Sequence, residues 1–209
     1  MARPPYVAFL ADVVASRART PRARAALQQR LRALARDINV RFRAQLAARA
    51  AITLGDELQA LFTSAAPVWQ AAHELRLAIP DVEWVVACGK GGLTTPLHRG
   101  ATAPELDGPC FHAARAALDA AKAGALVFAF GGFDPCIDGY AQYYSALYRS
   151  WSAGQRLLAN AQRARPKALL KELARFVGIA PTSISHRRRR MAWHLVVRGD
   201  TMFQEVLAR

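Results

Sequence analysis

The chain has few cysteines for its length, three in 209 residues, and Cys88, Cys110 and Cys136 include no pair at C-x-x-C spacing. That excludes the common zinc-ribbon and dithiol redox motifs and favours reduced, mostly buried thiols. Long hydrophobic runs are missing too. Met1-Ala2-Arg3-Pro4-Pro5 leads into a brief apolar stretch, too short for a signal segment or a membrane span, so a cytoplasmic protein with no membrane partner is expected. His73, His98, His112, His186 and His194 follow no ligand spacing, which favours surface or structural roles. Gly89-Lys90-Gly91-Gly92 is not a P-loop, because the G-x-x-x-x-G-K-[ST] spacing is absent. No nucleophile with an evident base emerges, and no internal repeat is visible.

Acidic residues are also scarce: 15 Asp and Glu face 29 Lys and Arg, a formal charge of +14. The imbalance is concentrated. Residues 151–209 hold 12 Lys and Arg against 3 Asp and Glu, whereas 1–150 hold 17 against 12. A local excess of this kind favours a polyanionic partner, and with the membrane set aside that partner is nucleic acid.

Hydrophobic residues make up 53% of the chain, enough to build a sizeable core. Tyr6–Leu10 reads as a buried strand. Pro21 opens a helix with Leu27, Leu31, Leu34, Ile38 and Phe42 at helical spacing. Its other face is basic and reads either as solvated or as phosphate-binding. Ala51–Leu54 and Leu58–Phe62 flank Gly55-Asp56-Glu57 as a hairpin. A helix over Pro67–Ile79, a strand over Val82–Cys88, a helix capped by Asp107 and reaching Ala121, and a strand over Ala125–Phe130 complete the order. This is the split βαβ arrangement of ferredoxin-like domains. From Gly139 the pattern is wholly helical, with an aromatic stripe from Tyr140 to Trp151 that suits core or a dimer seam. The expected fold is therefore α+β over 1–138, followed by an all-α domain over 139–209.

Leu169 to Ser185 has the makings of a helix-turn-helix, within about 169–196. Leu170, Leu173, Ala174 and Val177 form one apolar face, Gly178 can end the first helix in a left-handed conformation, Ile179 plugs the angle, and Ile184 returns to the core. An ordinary helical hairpin is the alternative. What favours DNA is the coincidence of that turn with a basic second helix. Thr182, Ser183, Ser185, His186, Arg187, Arg188, Arg189 and Arg190 are the candidate contacts to double-stranded DNA.

Four separated stretches resemble the SatD family: Ala11–Arg17, Thr53–Phe62, Asp107–Ala116, and Trp151 with Gln155. The first domain is in turn similar, distantly, to the class III nucleotidyl cyclases. That resemblance implies an α+β, cyclase-like domain in which Asp12 and Asp56 stand at the two metal-binding carboxylate positions, holding Mg²⁺ or Mn²⁺ on a nucleotide. It implies a catalytic arginine at Arg115, which would stabilise developing phosphoryl charge, and a homodimer. Gly55 and Lys90 are candidate phosphate contacts in the same cofactor site. Ile52 occupies the position of the purine-selecting lysine and Phe111 that of an asparagine, so the resemblance extends to the metal carboxylates but not to base selection. Asp12 and Asp56 thus read as turn and strand-end residues without a ligand, as a metal–nucleotide site without cyclisation, or as part of a nucleotidyl transferase. Two functional readings follow: a DNA-binding regulator whose cyclase-like domain senses a nucleotide or dimerises, and a metal-dependent nucleotidyl cyclase or transferase.

Overall fold

The computed structural model describes residues 5–53 and 55–209; Met1–Pro4, Leu54 of the hairpin motif and the side chain of Arg17 lie outside the described residues. Strand β1 (Tyr6–Val13) leads through a short 3-10 turn to α1 (Pro21–Arg41). Pro21 is pre-set for the first helical turn, and the Thr20 hydroxyl accepts the Ala23 N–H. Leu27, Leu31, Leu34 and Ile38 are its buried face, as their spacing predicts. The hairpin is formed by β2 (Leu46–Ile52) and β3 (Glu57–Phe62). Then come α2 (Val68–Ala78), β4 (Trp84–Gly91), α3 (Pro109–Ala123) and β5 (Phe128–Gly131).

The five strands lie in the order β2-β3-β1-β4-β5. The first four give the split βαβ order, antiparallel throughout, and β5 adds a parallel strand beside β4. The expected α+β class is therefore observed. Alternation along β1 divides the core between the two faces of the sheet. Val7, Phe9, Ala11 and Val13 meet α1 and α2, while Ala8 and Leu10 meet α3.

Glycines let α3 come close. A Cβ on Gly89 would lie 2.1 Å from the Cys110 carbonyl oxygen and 2.2 Å from the Ala114 nitrogen, so only glycine permits this approach. The Gly-rich stretch thus serves helix–strand packing. Asp107 does not cap α3: Gly108 occupies that position, and the Asp107 carboxylate instead meets His112 Nε2 at 2.9 Å.

Beyond β5 the described chain is helical: α4 (Pro135–Ser150), α5 (Ala153–Ala164), α6 (Leu170–Val177), α7 (Pro181–Arg190) and α8 (Trp193–Leu207). The aromatic stripe is core. Tyr144, Tyr148 and Trp151 are buried, and Trp69 of α2 packs edge-on against Tyr144, Phe128 and Phe203. Packing crosses residue 138 without a break, because the cluster on the α1/α2 face of the sheet also takes in Trp193, Val196, Phe203 and Leu207 of α8. Since this stripe is consumed inside the chain, it offers no seam to a second copy; Tyr143 is its exposed exception. Cys88 and Cys110 are buried and Cys136 is exposed, all with free thiols. No described helix is long and apolar enough to cross a membrane.

Candidate functional site

Asp12 stands near the end of β1, paired in register with Glu57 at the start of β3. Antiparallel partners share a face, so both carboxylates project on the side covered by α3. Asp56 precedes Glu57 in the hairpin turn, where Gly55 adopts φ +129°. The hairpin motif thus supplies two carboxylates, and its pairing with β1 brings Asp12 to the same sheet end. Helix α3 supplies the opposite charge: Arg115 and Lys122 lie seven residues apart, two helical turns along one side.

The pairs are close. Arg115 holds Glu57 through both terminal nitrogens, each at 2.6 Å, and Lys122 Nζ meets Asp12 Oδ2 at 2.6 Å. Gln59 donates to Glu57 Oε1 at 2.7 Å. Burial raises the Asp12 carboxyl above its ordinary value; Lys122 lowers it, and the charges of Asp56 and Glu57 raise it. Asp56 Oδ2 is buried with no partner.

The structure thus brings Asp12, Asp56 and Arg115 together, and adds Glu57 and Lys122, which the sequence reading passed over. Register was the missing signal for Glu57, and the α3 approach for Lys122. Arg115 is occupied by Glu57, so phosphoryl contact would require that pair to open. Lys90 is elsewhere. The partner of Asp12 on β4 is Val85, five residues from Lys90, or about 17 Å along the strand. Parity also puts Lys90 on the opposite face, where its ammonium sits 5.7 Å from the Phe133 ring centroid. Lys90 therefore cannot share a phosphate site with Asp12.

Among the described residues no three His, Cys, Asp or Glu side chains are grouped to hold a metal ion by themselves. The donors at Asp12 and Asp56 are hard oxygens, and Mg²⁺ is commonly held by one or two carboxylates plus substrate phosphates. With its orphaned Asp56 oxygen, the pair fits a cation that arrives with a phosphate better than a resident one.

At the other end of the chain, Gly178 takes φ 72°, ψ 34° between α6 and α7, and Ile179 N–H reaches back to the Ala174 carbonyl at 3.0 Å. Leu173, Ala174 and Ile184 close a small core with Leu158 and Ala161 of α5. Val177 and Ile179 are partly buried against it, whereas Leu170 is exposed. The candidate DNA residues separate into two groups. Thr182, Ser185, His186, Arg189 and Arg190 are exposed and Ser183 is partly so. Arg187 instead turns inward to the Gly154 carbonyl at 3.2 Å, and Arg188 is half-buried with an unpartnered Nε. Four consecutive arginines cannot share one helix face, so two of the four were drawn into packing. The Trp151 and Gln155 motif is structural: Trp151 is core, and Gln155 forms a capping box with Ser152 at the start of α5.

No curated protein matches the sequence. Among solved structures, a bacterial light-regulated adenylyl cyclase is similar over 61% of this chain and 75% of that chain, at 16% identity and a TM-score of 0.42. The model of the SatD family matches residues 6–124, more than half of the sequence and the whole of the carboxylate site, so the chain belongs to the SatD family.

Proposed function

We propose that this protein is a DNA-binding regulator, meeting duplex DNA through the outward side of α7. One observation carries the reading. The left-handed Gly178 turn seats α7 on α6 through Ile184 and leaves Thr182, Ser185, His186, Arg189 and Arg190 exposed, in a segment with four basic residues for each acidic one. Residues near the N-terminus of such a helix reach base edges, while arginines further along neutralise phosphates. The working contact set is smaller than the sequence suggested, since Arg187 serves packing and Arg188 is half-buried. Readers of this kind often pair half-sites by dimerising, so the proposal includes a homodimer acting in the cytoplasm, joined by a surface other than the buried stripe.

The test is fluorescence anisotropy against a selected duplex and a scrambled one over a salt series. Each phosphate contact contributes about 0.9 to the slope of log affinity against log salt. Arg190→Ala should flatten the slope by about one unit. Absence of salt-dependent binding to either duplex rejects the reading.

A second reading rests on the orphaned Asp56 oxygen beside Asp12: the sheet site binds a nucleotide with Mg²⁺ or Mn²⁺, as a sensor or as a nucleotidyl transferase. Mass spectrometry after incubation with each triphosphate and either metal separates the two. New cyclic or linear products mean turnover, and intact nucleotide with a metal-dependent thermal shift means sensing.

A further inference from the structure

Helix α8 has two apolar sides, and the fold uses one of them. Trp193, Val196, Phe203 and Leu207 are buried in the core cluster. Leu195, Met202 and Val206 each precede one of the last three by a single position, which turns them about 100° round the helix. Leu195 is 57% exposed and Met202 67%, and Val206 is only partly buried. Exposed apolar side chains are ordinary when scattered singly. Leu195, Gly199, Met202 and Val206 are not scattered: they follow a 4-3-4 spacing, the repeat of a helix that meets another helix along a seam. At Gly199 an added Cβ would meet within 4 Å only Tyr140 of α4, so the seam is low there and a long side chain from another helix can lie across it.

The charges beside this seam indicate which helix fits. Arg198 and Glu205 flank it on one side, seven residues apart and both exposed. Among the described residues neither is in a salt bridge. Consider α8 laid antiparallel on its own copy, with the two-fold axis level with Asp200 and Thr201. Leu195 of one copy then meets Val206 of the other, Met202 meets Gly199, and Arg198 of each meets Glu205 of the other. The face is complementary to itself in both shape and charge, which an isologous contact requires because every contact in it occurs twice.

We propose that this outer side of α8 docks a second copy of the chain as an antiparallel helix pair. The inference rests on the dimeric part of the DNA-binding reading and gives that dimer its surface. Since α7 runs into α8 through Met191 and Ala192, the two α7 helices are related by the same two-fold. A pair of 15-residue helices makes a small contact, so the affinity belongs in the micromolar range rather than the nanomolar.

The experiment is sedimentation equilibrium of the full chain across the micromolar range. The wild type should pass from monomer to dimer mass as concentration rises. Met202→Lys, at an exposed position that the fold does not use, should weaken pairing about tenfold or more, because each substitution acts twice in a two-fold contact. Arg198→Glu and Glu205→Arg should each pair poorly alone, since like charges then face each other. Mixed in equal amounts, the two should pair about tenfold more tightly than either does alone, because every flanking contact again joins opposite charges. Val40→Lys, which replaces an apolar side chain 79% exposed on α1, should pair as the wild type does. A monomer at every concentration overturns the seam together with the dimer, and leaves DNA binding to be judged by the anisotropy series. A dimer unchanged in Met202→Lys, equal loss in Val40→Lys, or a mixture of the charge variants that pairs no better than either alone overturns the seam while the dimer stands.

Discussion

Arg115 of α3 clasps Glu57 of β3 with two parallel bonds, tying the helix to the strand that carries the hairpin carboxylates. Glu57 is buried and Arg115 is partly exposed, so the carboxylate depends on its partner more than the arginine does. Arg115→Ala should cost about 1–3 kcal/mol, since it leaves a buried charged acceptor unpaired. Glu57→Gln added to it should recover part of that loss. Urea denaturation of the four members of this cycle measures the coupling, and strict additivity would refute it.

The close approach of α3 to β4 predicts a sharp intolerance at Gly89. A methyl group there collides with backbone atoms of Cys110 and Ala114, which cannot rotate away. Gly89→Ala should destabilise by about 3 kcal/mol or more, with separation of α3 from the sheet. Gly92, where an added Cβ meets nothing within 4 Å, provides the control: Gly92→Ala should differ little from the wild type in chemical denaturation.

Arg163 is the third test. It is buried among Trp69, Tyr144, Trp151 and Trp193 and paired with Asp200, and although burial alone opposes its charge, Tyr144 and Asp200 raise its affinity for the proton overall. Arg163→Met strands Asp200 and should cost about 3–5 kcal/mol. Pairing it with Asp200→Leu should return much of the loss in thermal unfolding, because two neutral side chains leave no buried charge.

Acid titration probes Asp12. Its carboxyl is raised above 3.8 in the folded protein by burial, with Asp56 and Glu57 adding to the shift against Lys122. The folded state thus binds the proton more tightly than the unfolded state, so the Asp12 contribution to stability falls as pH rises from about 3.8 through the raised folded value. Asp12→Asn should remove that fall. Melting temperatures across this window should show the wild type losing ground to the variant as pH increases, and parallel curves would contradict the shift.

Periodicity made most of the elements legible. The Leu27, Leu31, Leu34 and Ile38 spacing, the Gly55-Asp56 turn and the Gly178 stop each act through neighbours close in sequence, where local sterics decide conformation. The nearness of Asp12 to Asp56 was legible only through resemblance, since they lie far apart in the sequence. Lys90 misled because its Gly-rich setting resembles a phosphate turn; strand parity and distance along β4, both fixed by pairing with β1, put it on the other face.

Composition determined a basic C-terminal segment, and pattern determined the α+β order, the helix α6, its glycine stop and the core faces, because these follow from charge, backbone sterics and side-chain period alone. Only the tertiary structure decided that Glu57 and Lys122 join the carboxylate cluster, that the Tyr144–Trp151 stripe is core, and that Arg187 packs on Gly154 while Arg190 stays outside. Those are contacts between residues distant in the chain, and their partners are selected by register and helix approach, which no local pattern encodes.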